Sequence, residues 1–245
     1  MGSRKIVKLT VLGCSALTLV SGAALAQNNI TFNNANGSTN VGVSYYLGGK
    51  HYKENTSAGS YNFTVAGKSY KGYCTDLSDN IHNSESWKAT FTTVANPVNG
   101  LGSTWYAKEA GLTTTNINAI DYLASHYINT SSSAAAQIAI WDLSLNSYVS
   151  KVGSSYNWGS AFSASGISAQ SVYSVEQAAL ANNNRSWGSL LAYAGPQASG
   201  RPQDIAFGSY SSPSGPPPVP EASSMAGLSM LFGIGSLGMF KRRKR

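Results

Sequence analysis

The sequence predicts an α+β fold, with a strand-rich N-terminal half, a helical second half and a C-terminal transmembrane helix. Short β-branched and aromatic runs, broken by glycine turns, fill residues 27–106. Apolar residues then recur at three- and four-residue spacing from Ile117 onward. An uncharged apolar stretch closes the chain ahead of the basic run Lys241–Arg245. Strands gathered first and helices later argue against a doubly wound sheet, which alternates the two.

Residues 1–26 read as a secretory signal peptide. Arg4, Lys5 and Lys8 give the positive start, and an apolar stretch runs through Val20. Ala24-Leu25-Ala26 then offers the small residues that signal peptidase accepts, with cleavage before Gln27. A lipoprotein cut before Cys14 competes, but bulky Leu12 stands where such sites prefer a small residue.

Strands are expected at Val41–Tyr46, Tyr61–Val65 and Ser69–Cys74, separated by Gly48-Gly49, Ala58-Gly59 and Ala66-Gly67-Lys68. The last two runs, either side of Gly67, suit a hairpin. Thr114 or Thr115 caps a helix that carries Ile117, Ile120, Leu123, Ala124 and Tyr127 on one face. After a break at Asn129–Ser133, Ala134–Leu145 forms a second helix, with Ser131–Ser133 as caps. A third spans Ser171–Ala181 and stops at Asn182-Asn183-Asn184. Trp187–Tyr193 reads as a short fourth helix and Asp204–Tyr210 as a closing strand. No internal repeat is present. Residues 27–210 thus form one extracellular domain.

Residues 211–218 are a Pro/Gly/Ser linker that cannot pack. Ala222–Phe240 holds about 19 mostly apolar residues, close to the ~20 that cross a bilayer core. Lys241–Arg245 holds the end on the cytoplasmic side. Val219-Pro220-Glu221, the apolar span and the basic end, in that order, resemble the PEP-CTERM sorting signal of bacterial exported proteins. Ala222 stands in place of the family's usual second proline. The resemblance covers residues 219–245. It implies that an exosortase cuts near Pro220-Glu221 and passes the protein to the cell surface or an extracellular matrix. An ordinary single-span anchor is the alternative, and both place residues 27–213 outside the membrane.

The net charge of +7 is an end effect. Arg4, Lys5, Lys8 and Lys241–Arg245 account for eight of the 17 basic residues, and Glu221 for one of the 10 acidic ones. The body keeps nine of each, which is neutral. A nucleic-acid partner is therefore excluded, because that binding rests on Lys and Arg neutralising phosphates.

Once the signal leaves with Cys14, Cys74 is the only cysteine, so no disulfide forms within the chain. A lone thiol in an oxidising compartment is exposed to pairing or oxidation. Cys74 sits in Gly72-Tyr73-Cys74-Thr75-Asp76-Leu77 at a strand end, and far along the chain stands Ala136-Gln137-Ile138-Ala139-Ile140-Trp141. These segments resemble the thioester domains of bacterial surface proteins, in which an aromatic-Cys motif pairs with apolar-Gln-x-x-apolar-aromatic. Thr75 departs from the family's usual apolar residue after Cys. The resemblance implies that the Cys74 and Gln137 side chains join as an internal thioester, with Tyr73, Ile140, Trp141 and Asp76 supporting the site.

The residues themselves give that chemistry a physical basis. In a helix Gln137, Ile140 and Trp141 share one face, so apolar bulk shields the carboxamide. Held against the thiol, an otherwise poor electrophile can lose ammonia, because proximity replaces a bimolecular encounter. An entering lysine amine or sugar hydroxyl would then acquire a covalent link to Gln137 and release the thiol. That is a single-use bond to a polysaccharide or protein, without turnover, cofactor or metal. Nearby helices could also donate N–H groups to the oxyanion.

Other constellations are weaker. His51, His82 and His126 have no metal-ligand spacing, though Cys74 with His82 or His126 would make a nucleophile pair. Asp76, Asp79 and Asn80 offer oxygen ligands for Ca²⁺ without a known loop spacing. Tyr45-Tyr46, Tyr52, Trp87, Trp105-Tyr106 and Trp158 suit either a sugar-binding face or sheet packing. Two readings follow: a covalent surface adhesin, or a non-reactive structural or carbohydrate-binding matrix component with a buried cysteine.

Overall fold

The computed structural model describes residues 27–77, 81, 83–96, 100–193 and 203–208. The signal peptide, including Ala24 and Ala26, and the tail, including Val219, Pro220 and Glu221, lie outside the described residues. No helix among the described residues is long and apolar enough to cross a membrane.

The N-terminal half is strand-rich: β1 (Gln27–Leu47), β2 (Lys50–Val65), β3 (Lys68–Cys74) and β4 (Ser86–Thr93). Both β1–β2 and β2–β3 are hairpins with two-residue turns. Gly48 and Gly49 (φ 56 and 74) and Ala66 and Gly67 (φ 49 and 79) supply the left-handed pairs that match strand twist. Ala58 and Gly59 do not separate strands; they lie inside β2, which is longer than the expected Tyr61–Val65.

Helices follow: α1 (Trp105–Ala110), α2 (Thr114–Tyr127), α3 (Ser133–Ser144) and α4 (Ala169–Ala181). The cap of α2 is Thr113, whose hydroxyl accepts from Asn116 N, one residue before the expected Thr114. Between α3 and α4 lie a small hairpin, β5 (Ser150–Val152) and β6 (Ser155–Asn157), and strand β7 (Phe162–Ser165). The expected fourth helix is instead strand β8 (Leu190–Tyr193), and β9 (Ile205–Phe207) is shorter than Asp204–Tyr210.

The two late strands close the molecule. The order β1-β2-β3-β9-β8-β4 returns to β1, giving a six-stranded antiparallel barrel. Register shifts at Phe32/Asn34 and Asn36/Thr39 let the long β1 bend. Its first residues pair with β4, while Gly42–Tyr45 pair with β7. Phe63 meets Phe32, Trp87 and Phe207, and Phe207 also meets Tyr70 and Phe91. Full burial of each such ring contributes roughly 1.5–3 kcal/mol.

Helix α3 is the other core. Every residue from Ala135 to Ser144 is buried, as expected of a helix that is apolar nearly all round. It packs on β2 and is covered by α2 and α4. This layer delivers the first turns of α3 to the end of β3.

Candidate functional site

Strand β3 ends at Cys74 with half of its main chain unpaired by strands. Tyr73 pairs with Ala206 of β9, and Thr75 N donates to Asp204 O at 2.9 Å. On the other side, β2 pairs with β3 only from Tyr61–Gly72 onward, so no strand faces Cys74 there. The Gln137 side chain fills that place. Cys74 N donates to Gln137 Oε1 at 3.0 Å, and Gln137 Nε2 donates to Cys74 O at 2.7 Å. The carboxamide pairs as a strand residue would, and its carbon is held against residue 74.

The site is dry. Gln137, Tyr73 and Ile140 have no exposed surface, Trp141 has 1% and Cys74 2%. Ile140 and Trp141 follow Gln137 at one helical turn. The Tyr73 hydroxyl and Trp141 Nε1 are buried donors with no hydrogen-bond partner among the described residues. Burial, reinforced by the charge of Asp76, holds the Cys74 thiol well above its ordinary pKa. The resting group is therefore the thiol, which would need a base to take its proton before it could act as a nucleophile.

Asp76 is buried beside it, with Oδ2 accepting from Asp204 N at 3.1 Å. Thr75 also bonds Asp204, its hydroxyl donating to the carbonyl at 3.0 Å. That bond gives the polar residue after Cys74 a buried partner. A second polar layer backs the turn: Tyr45 donates to Leu77 O at 3.0 Å, and the Tyr106 hydroxyl lies within reach of Ser144 Oγ at 3.4 Å. Both phenols are pushed up by burial, with the Glu54 charge adding to it. Sequence reading missed Asp204, Glu54, Tyr45 and Tyr106 as neighbours of the turn; Asp204 is 128 residues from Asp76 and no local pattern connects them.

The remaining candidates fall elsewhere. His51 bonds Ser44 Oγ and stacks on Tyr46, and His126 bonds the Tyr122 carbonyl; neither bonds Cys74. His82, Asp79 and Asn80, and the Trp105 side chain, lie outside the described residues. Among the described residues no three His, Cys, Asp or Glu side chains gather as a metal site. The aromatic residues do not form one face: Tyr45, Tyr106 and Trp87 pack inward, whereas Tyr46 and Tyr52 are exposed. No protein-family model, curated protein or solved structure matches this chain significantly.

Proposed function

We propose that the protein is an exported surface or matrix component that bonds covalently to a target through a Cys74–Gln137 thioester. The reciprocal pairing of the Gln137 carboxamide with the Cys74 main chain carries this reading. It brings the electrophilic carbon to the one cysteine of the exported body and keeps water out.

In this reading Asp76 takes the thiol proton and the sulfur attacks Gln137 Cδ. The developing oxyanion on Oε1 stays bonded to Cys74 N–H, as in an oxyanion hole. The proton passes to Nε2, the C–N bond breaks and ammonia leaves. A target amine or hydroxyl later attacks the same carbon. An amide or ester forms at Gln137, and the sulfur recovers a proton as the free thiol. Asp76 returns to its starting state, but Gln137 stays linked to the target and is not regenerated, so the act is single-use.

Export follows from residues 1–26 and surface delivery from 219–245, with signal peptidase and an exosortase as processing partners and a transient membrane anchor. Intact-mass measurement of the full chain tests the chemistry. The wild type is expected to be lighter than its sequence by one ammonia and to take up methylamine at Gln137, while Cys74→Ala has its unmodified mass. A full-mass wild type with a thiol that titrates on unfolding would overturn the thioester. Gln137 would then be a structural stand-in for a strand, in a non-reactive matrix or carbohydrate-binding component.

A further inference from the structure

We propose that the outer face of β2, β1 and β7 is a non-covalent binding groove for a neutral polysaccharide chain, separate from the Cys74–Gln137 pair. Alternation along β1 turns Val41, Val43 and Tyr45 into the core and leaves Asn40, Gly42 and Ser44 facing outward. Register then lays Asn55 of β2 and Ser165 of β7 on either side of Gly42, and Lys53 and Ser163 on either side of Ser44.

Two adjoining cavities of about 570 and 530 Å³ lie along this face and share Gly42, Asn55 and Ser165. Both fall in the size range of ligand sites. Gly42 makes the floor: a Cβ there would come within 2.8 Å of Ser165 Oγ and 3.3 Å of Asn55 Oδ1. Trp158 stands at one end, half-buried and edge-on to Phe162 at 5.9 Å.

The lining chooses the ligand. Its outward side chains are hydroxyls and carboxamides, which pair with the vicinal hydroxyls of a sugar. Trp158 offers an apolar ring for a sugar's C–H face. Lys53 is the one outward charge, because the Glu54 carboxyl bears on the Tyr45 hydroxyl on the opposite face. An ionic partner would find almost no counter-charge. The inner side chains of the same strands reach the Cys74 turn through Tyr45 and Leu77. The groove thus lies on the reverse face of the strands that back the turn.

Calorimetric titration of the full chain with maltohexaose, cellohexaose and hexagalacturonate tests the groove. At least one neutral hexasaccharide should bind, with Trp158→Ala and Gly42→Val each weakening it about tenfold, as loss of a stacking platform or of the floor would. Asn55→Ala, on an exposed side chain that leaves the core alone, should weaken it as well. Cys74→Ala should bind like the wild type, which separates this groove from the thioester reading. The proposal is overturned if neither neutral sugar binds, if hexagalacturonate binds more tightly, or if Trp158→Ala and Asn55→Ala keep wild-type affinity.

Discussion

At Cys74 the main chain has an N–H and a carbonyl to satisfy after β2 has turned away, and Gln137 satisfies both. Buried polar groups left alone cost about 1–3 kcal/mol each. Gln137→Ala should therefore destabilise the fold by roughly 2–4 kcal/mol even where no thioester exists, from two orphaned groups and a small cavity. Cys74→Ala keeps the main-chain pair and should cost less, about 1–2 kcal/mol for a small buried side chain. Urea unfolding of both variants checks the order; a larger loss in Cys74→Ala would contradict it. The association of residues 74 and 137 was legible in two short motifs. Its form was not: the motif reading placed the carboxamide against the sulfur, whereas the described contact is with the main chain. Which groups of a strand end lack a partner depends on where β2 leaves β3; the sequence reads Ala58-Gly59 as a break between strands, whereas β2 runs on through it and its pairing with β3 ends at Tyr61–Gly72.

Elements late in the chain are held by single buried side chains. Asp121 of α2 is fully buried, and its Oδ2 accepts from Ser186 Oγ (2.8 Å), Trp187 N (2.7 Å) and Gly188 N (3.2 Å). Oδ1 accepts from Ser189 N at 2.8 Å. This carboxylate fixes the approach to β8, which occupies the barrel between β4 and β9. Asp121→Ala should cost about 3 kcal/mol or more, since hydrogen bonds to a charged group contribute about 1.5–3 kcal/mol and several main-chain donors would be left unmet. Hydrogen exchange should localise the loosening to residues 187–193; uniform loosening across α3 would count against this role. No local pattern marks β8 as a strand, and the sequence reads it as a helix. Leu190-Leu191-Ala192-Tyr193 is a short apolar run, which periodicity alone cannot assign. The edge of β4, where Phe91 pairs with Ala192, decides it. By contrast α4 carries enough turns for its period to show and α3 is long enough as an apolar run to read as a helix, and only their ends shift by a residue or two.

At the scale of the whole molecule, the strand-first, helix-later order is visible in the sequence, but barrel closure is not. It joins β3 to β9 and β4 to β8 across about a hundred residues or more of chain, and local patterns carry no information at that range. The helical layer is equally non-local in its electrostatics. Asp142 of α3 and Glu176 of α4 are both fully buried. Glu176 Oε2 accepts from Val149 N at 3.0 Å, while Glu176 Oε1 and both oxygens of Asp142 have no hydrogen-bond partner among the described residues. Burial pushes Asp142 up to about 7; burial and the neighbouring Asp142 charge push Glu176 up to about 9. In the unfolded chain both ionise near pH 4. Between that pH and the raised native values the folded protein binds more protons than the unfolded one, so its stability falls as pH rises. The contribution is whole below about pH 4 and is lost as pH climbs through about 7 and 9. Glu176→Gln removes the second ionisation, so urea midpoints should fall less steeply from pH 6 to pH 9.5 in the variant than in the wild type. Parallel profiles would mean that the two carboxyls do not share the α3–α4 interface as a protonated pair. Because Asp142 lies on the helix that carries Gln137, alkaline loosening should also raise the rate at which the Cys74–Gln137 pair becomes accessible to thiol reagents or methylamine.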